Sequence, residues 1–215
     1  MDEDDHDDVE QLRSLIAAGA RDPSAFRAAL ARIAPDARDA CVDRALGSGP
    51  IPDDGPELPR GCVPYLPCPV DALLRLAEHA RVQTSDVFVD VGSGTGRAAA
   101  LVHLMTGARV IGLEIQPALV AAARDMTGRL RLPDVAFVEG DAPQLTTALS
   151  VGSVFLLYCP FSGDRLAALL ATLATVARTR TIRVCCVDLP LPPCAWLTPT
   201  PHPSPDLAIY RSNLA

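Results

Sequence analysis

The chain has 215 residues, 49% of them hydrophobic and 4% aromatic, with a formal net charge of −7. That length suits one α/β domain with a modest appendage. Residues 1–60 hold 14 Asp and Glu against 7 Arg (7 − 14 = −7), while residues 61–215 balance 12 acids against 12 Arg, so no basic footprint exists and no nucleic-acid partner is expected.

The seven cysteines include no CxxC pair. Several (Cys159, Cys185, Cys186) sit in apolar runs, where a free thiol behaves as a small hydrophobe. They read as reduced thiols of a cytoplasmic protein. Cys62, Cys68 and Cys194 with four scattered His lack the clustering of a zinc site, so no metal is expected. The acidic start "MDEDDHDDVE" is not a signal peptide, and no run of about 18 apolar residues marks a membrane span.

In chain order, "DVEQLRSLIAAGA" shows helical spacing, and "DPSAFRAALARIA" and "DARDACVDRAL" follow as helices. Asp22 before Pro23 reads as an N-cap ahead of a first-turn proline. The preceding run "DEDDHDD" reads as a solvated tail, with an acidic arm for a basic partner protein as the functional alternative. The whole segment 1–48 is then a helical N-terminal extension, either a small cap or a loosely attached arm. Seven prolines between Pro50 and Pro69 mark 49–63 as a linker. From residue 64 to 215 a single domain is expected. It opens with the amphipathic helix "PVDALLRLAEHARV" and continues with strands at 87–91, 109–113, 135–139, 153–158 and 182–187. Helices at 96–106, 117–127, about 143–149 and 163–177 alternate with them. Continuous apolar strands such as "VFVDV" and "SVFLLY" are those of a sheet buried on both faces. The class is therefore α/β, a doubly wound and mostly parallel sheet. "CAWLT" and "DLAIYR" are short strands that can form an antiparallel hairpin at its edge.

The turn after the first strand reads Asp90-Val91-Gly92-Ser93-Gly94-Thr95-Gly96. A dinucleotide site needs G-x-G-x-x-G; here the spacing is G-x-G-x-G, Arg97 follows, and Asp90 would repel a pyrophosphate. An acid beside the turn suits a ligand with a cationic amino group, as in S-adenosylmethionine (SAM). Glu114, 24 residues on (114 − 90), can accept from both ribose hydroxyls, and Asp141 from an adenine amino group.

"DVGSGTG", "GLEI" and "EGDA", in this order and spacing, resemble the class I SAM-dependent methyltransferases over roughly residues 64–188. The resemblance implies a Rossmann-like methyltransferase fold, SAM as cofactor, and methyl transfer to an acceptor. It implies cofactor contacts from Asp90, Gly92, Ser93, Gly94 and Gly96 in the turn, Glu114 and Ile115 after the second strand, and Asp141 and Ala142 after the third. "VPYLPCPVDALLRLAEHARV" is similar to the leading segment of a protein-lysine methyltransferase subgroup, with Cys68 in place of that subgroup's Ser or Thr. By that likeness Tyr65 closes over the methionine end of SAM; otherwise it packs the linker on the domain. The acceptor implied is a protein lysine amine. A small molecule of secondary metabolism, or a non-catalytic SAM-binding role, are the alternatives.

Methyl transfer needs positioning and water exclusion more than a catalytic side chain. Tyr158-Cys159-Pro160-Phe161 stands where many N-methyltransferases carry [DN]-P-P-[YF], which makes Tyr158 the candidate residue beside the methyl group. Among histidines, His103 reads as a helix-face residue, His79 as a helix C-terminal partner, His6 as solvated, and His202 as a substrate-side alternative in the proline-rich tail.

Overall fold

The computed structural model describes residues 3–53, 55, 58–59, 61–201 and 204–214, with side chains from residue 6 onward. Three helices come first: α1 (Glu3–Ala17), α2 (Pro23–Arg32) and α3 (Pro35–Leu46). An extended stretch leads to α4 (Val70–His79). Then follow β1 (Val87–Val91), α5 (Arg97–Thr106), β2 (Arg109–Glu114), α6 (Pro117–Leu130), β3 (Val135–Glu139) and a 3-10 turn at Ala142–Gln144. The chain closes with α7 (Thr146–Val151), β4 (Val154–Tyr158), α8 (Gly163–Ala177), β5 (Arg183–Val187), β6 (Leu197–Thr200) and β7 (Leu207–Ser212).

The seven strands form one sheet in the order β3-β2-β1-β4-β5-β7-β6. β1 to β5 are parallel, and β7 runs antiparallel between β5 and β6. The two short C-terminal segments thus make the expected edge hairpin. Pro199 lies in the outermost strand, where a missing N–H breaks no ladder on its free side. The strand order reverses between β1 and β4. Ligands of doubly wound sheets bind outside the carboxyl ends of the strands at that point.

All ten residues of α5 are buried. A helix buried all round must be covered on the side away from the sheet, and α2 and α4 cover it. Phe26, Leu30, Leu12 and Leu46 of the first three helices share one apolar cluster with Leu101 and Met105 of α5. Each such side chain contributes about 2 kcal/mol. The segment before residue 49 is therefore a cap packed on the core, not a loose arm. Asp22 caps α2 as expected, its Oδ1 accepting the Ala25 N–H at 2.9 Å.

Two expectations are corrected. The acidic run is not a tail: the backbone of residues 3–8 forms the first turns of α1. The helix at about 143–149 is split, because Leu145 leaves helical geometry (φ −80°, ψ 52°) between the 3-10 turn and α7. Among the described residues, no helix is long and apolar enough to cross a membrane.

Candidate active site

The turn between β1 and α5 is built on the end of β2. The N–H groups of Gly92 and Ser93 both donate to the carbonyl of Leu113, at 2.8 and 3.0 Å. Gly94 takes φ +52°, and a Cβ there would lie 2.0 Å from the ring of Tyr65. Glycine is required on both counts. Tyr65 lies against the turn, its hydroxyl 2.8 Å from the Thr95 hydroxyl. A Cβ on Gly92 (φ +79°) would meet Pro160 at 2.9 Å, so the turn also packs against the loop after β4.

Glu114 is buried, and backbone occupies it: Oε2 accepts from Gly94 at 2.9 Å, and Oε1 from Ile115 and Gln116 at 2.8 and 2.9 Å. Its carboxylate ties the glycine turn to the end of β2. Asp90 lies below the turn, 3% exposed, and its Oδ2 has no hydrogen-bond partner. Burial, with the Glu114 charge second, pushes its carboxyl up to about 7. The Ser93 hydroxyl is likewise buried without a partner.

One cavity opens at the carboxyl ends of β1, β2 and β4. Its walls include Tyr65, Gly92, Glu114, Ile115, Asp141, Ala142 and Tyr158. Seven of the eleven residues singled out from sequence therefore meet there. Asp90, at the end of β1, and the turn residues Ser93, Gly94 and Gly96 are not among its walls. Asp141 pairs with Arg165 of α8 and accepts from Gln144 at 3.2 Å. Tyr158 is half-buried at the end of β4, and burial raises its phenol above the ordinary range. Cys159 follows with φ +43°, the left-handed region, and its thiol donates to the Asp188 carbonyl at 3.1 Å. Non-glycine residues held there store strain, and such residues cluster at functional sites. Phe161 is buried in the core.

A strap that includes Leu58 and residues 61–66 roofs the cavity. Ser162 N–H donates to the Gly61 carbonyl at 2.9 Å, Cys62 and Phe161 form an isolated antiparallel bridge, and Gly55 N–H donates to Gln116 Oε1 at 2.8 Å. Under the strap the enclosed volume is about 70 Å³. Small-molecule sites start at about 300 Å³, so the strap has to shift to admit a nucleoside.

His103 is buried in α5, its Nδ1 2.8 Å from the Ala108 carbonyl, a packing role. His79 is in the last turn of α4, His6 is exposed on α1, and His202 lies outside the described residues. Among the described residues no three of His, Cys, Asp and Glu converge as metal ligands. Sequence reasoning missed Thr95, Gln116 and the partners of Arg97. Only Arg97 carried a signal, as a cation directly after the glycine turn.

Residues 88–180 match a methyltransferase domain family model. An RNA methyltransferase from Salinibacter ruber, crystallised with S-adenosyl-L-homocysteine (SAH), is similar at 26% identity and a TM-score of 0.54, over 68% of this chain and 92% of that one. The structure described as "Conversion of a Disulfide Bond into a Thioacetal Group during Echinomycin Biosynthesis" shares the fold at 20% identity and a TM-score of 0.53, over 66% of this chain and 82% of that one. No curated protein matches the sequence. Sheet order, glycine turn and the matched stretch are those of class I SAM-dependent methyltransferases. The match at residues 88–180 and the SAH-bound neighbour support SAM as the cofactor.

Proposed function

We propose that this methyltransferase holds SAM at the glycine turn and methylates an amine on a protein. The orphaned Asp90 Oδ2 and Ser93 Oγ fit that cofactor, since a buried acceptor without a partner is costly until a donor arrives. In this reading Asp90 and the turn residues Gly92, Ser93, Gly94 and Gly96 hold the amino acid end. Glu114 and Ile115 serve the ribose, Asp141 and Ala142 the adenine, and Tyr65 covers the turn. Residues 64–215 carry the chemistry, 49–63 lead into the roof, and 1–48 brace the turn from outside.

When bound, SAM supplies an electrophilic methyl group on a sulfonium, and the acceptor lone pair displaces the thioether in line. This chain's part is to exclude water and orient the acceptor. The cavity end formed by Val63, Pro160 and Phe161 has apolar walls that suit an alkyl stem. Tyr158, its phenol raised, stays protonated at neutral pH. It therefore acts as a hydrogen-bond partner for the incoming nitrogen and not as a base.

The observation that carries a protein acceptor is the strap's outer face. Val63 is 47% exposed and Leu66 60% exposed at the cavity rim. A macromolecule docking there covers both and brings one reactive atom to the opening. The acidic extension favours a basic protein surface. RNA is the second reading, because the Salinibacter neighbour is an RNA methyltransferase; the charge of −7 disfavours it.

The test is transfer of labelled methyl from SAM to basic lysine-containing proteins, total RNA and small amines. Label on lysine supports the reading. Label on RNA or on a small amine alone overturns the acceptor and leaves the methyltransferase.

A further inference from the structure

Arg97 is the first residue of α5 and directly follows Gly96. A cation there opposes the helix dipole, and this one is 4% exposed. A buried charge is tolerated only when paired and hydrogen-bonded. The compensation comes from the N-terminal extension. Arg97 Nε donates to Asp43 Oδ1 at 2.6 Å, and Nη2 to Asp39 Oδ1 at 2.7 Å. Nη1 donates to the Cys68 carbonyl at 2.8 Å.

Asp39 and Asp43 are four residues apart on one face of α3. Like charges at that spacing repel on an isolated helix, and here a guanidinium sits between them. Asp39 Oδ1 also accepts the N–H of Val70, the first residue of α4, at 3.2 Å. Helices α3, α4 and α5 therefore meet at one carboxylate, beside the Tyr65–Thr95 contact. Glycines make the adjacent turn conformationally permissive. A permissive turn charges its ordering cost to whatever binds it, unless an anchor has already fixed it.

We propose that Asp39 and Asp43 are positioning residues of the cofactor turn. By holding Arg97 they fix the Gly92–Gly96 backbone, so the N-terminal extension belongs to the SAM site although neither carboxylate lines the cavity. The proposal rests on the reading that places SAM at this turn.

The experiment is SAH titration of wild type, Asp43→Asn, Asp43→Glu, the double variant Asp39→Asn/Asp43→Asn, and Asp134→Asn. Asp134 is an exposed carboxylate directly before β3, at the opposite end of the sheet from the turn, and its variant controls for lost negative charge. Amide hydrogen exchange is measured on each unliganded protein. The double variant binds SAH about tenfold more weakly, and exchange quickens at residues 92–100 but not in β4 or β5. Asp43→Glu and Asp134→Asn stay within about twofold of wild type. If the double variant does not fold, Asp43→Asn, with its half-exposed carboxylate, carries the same comparison. Wild-type binding with unchanged variant affinity and turn exchange overturns the proposal and leaves the site reading standing. Exchange that quickens uniformly through the sheet also overturns it, since the acids would then only stabilise the fold. Wild type that binds no SAH overturns the site reading and this proposal with it.

Discussion

Replacing Asp90 by Asn should make the protein more stable and a poorer cofactor binder. The buried carboxyl titrates at about 7 against 3.8 for an ordinary aspartate. Below pH 3.8 folded and unfolded chains both hold the proton, and the site costs nothing. Between 3.8 and about 7 the unfolded chain ionises while the folded one stays protonated, so stability falls by about 1.4 kcal/mol per pH unit. Above about 7 the loss levels off near three units' worth, about 4 kcal/mol. Asparagine has the same shape and no charge. The stability difference between Asp90→Asn and wild type should therefore grow by about 3 kcal/mol from about pH 5 to about pH 8, and the variant's Tm advantage by several degrees. Urea unfolding of both proteins at the two pH values measures it. SAH titration alongside should show weaker binding by the variant, which offers no carboxylate to an amino group. A stability difference that does not change with pH would refute the assignment of a neutral, buried Asp90.

Three further substitutions probe the turn. Gly94→Ala puts a methyl group on the Tyr65 ring and forces φ +52° on a residue that disfavours it; about 1–3 kcal/mol of stability and about tenfold in SAH affinity should be lost by melting and titration. Glu114→Gln leaves a single oxygen to serve three N–H groups, at a cost of about 1–3 kcal/mol in chemical denaturation. Because the Glu114 charge is the second cause of the Asp90 shift, the pH window of Asp90 in that variant should also move down. Tyr65→Phe removes the bond to Thr95, worth about 1 kcal/mol, and stopped-flow displacement should show SAH leaving about fivefold faster.

The parts legible in the sequence were those set by local pattern. Continuous apolar runs gave β1 to β5 within one residue at each end, because a strand buried on both faces has no solvent side to interrupt it. The glycine spacing and the acids at the ends of β1, β2 and β3 pointed to the carboxyl ends of the strands, where the cavity lies. What could not be read was which partner each polar group takes. Glu114 looks like a ribose acceptor from its position, and nothing in the sequence shows that three backbone donors share its carboxylate. Arg97 looks like a departure from a motif, and its partners lie 54 and 58 residues away on a helix with no motif of its own. The acidic run misled because charge composition describes a tail as well as the first turn of a helix. The apolar face that settles the matter, Val9, Leu12 and Ile16, is buried in the cluster that the cap helices share with α5.

The strap gives these pieces a common consequence. Tyr65 touches the turn through Thr95, while four residues earlier the same segment hydrogen-bonds the loop after β4, through Gly61 and Ser162. Cofactor end and acceptor end are thus joined by a short run of extended backbone. Lifting it to admit a nucleoside breaks contacts at both ends together, since an extended segment of this length has little slack. The strained Cys159 sits directly before the Pro160–Ser162 anchor. Strain held next to an anchor is released when the anchor lets go, so the open arrangement costs less than the broken hydrogen bonds alone imply. Closure over the cofactor re-forms the bonds to residues 160–162, and with them the Tyr158 end of the cavity. Cofactor capture and completion of the acceptor side are then one movement. In the proposed reading, SAM binding precedes the acceptor and assembles the site for it.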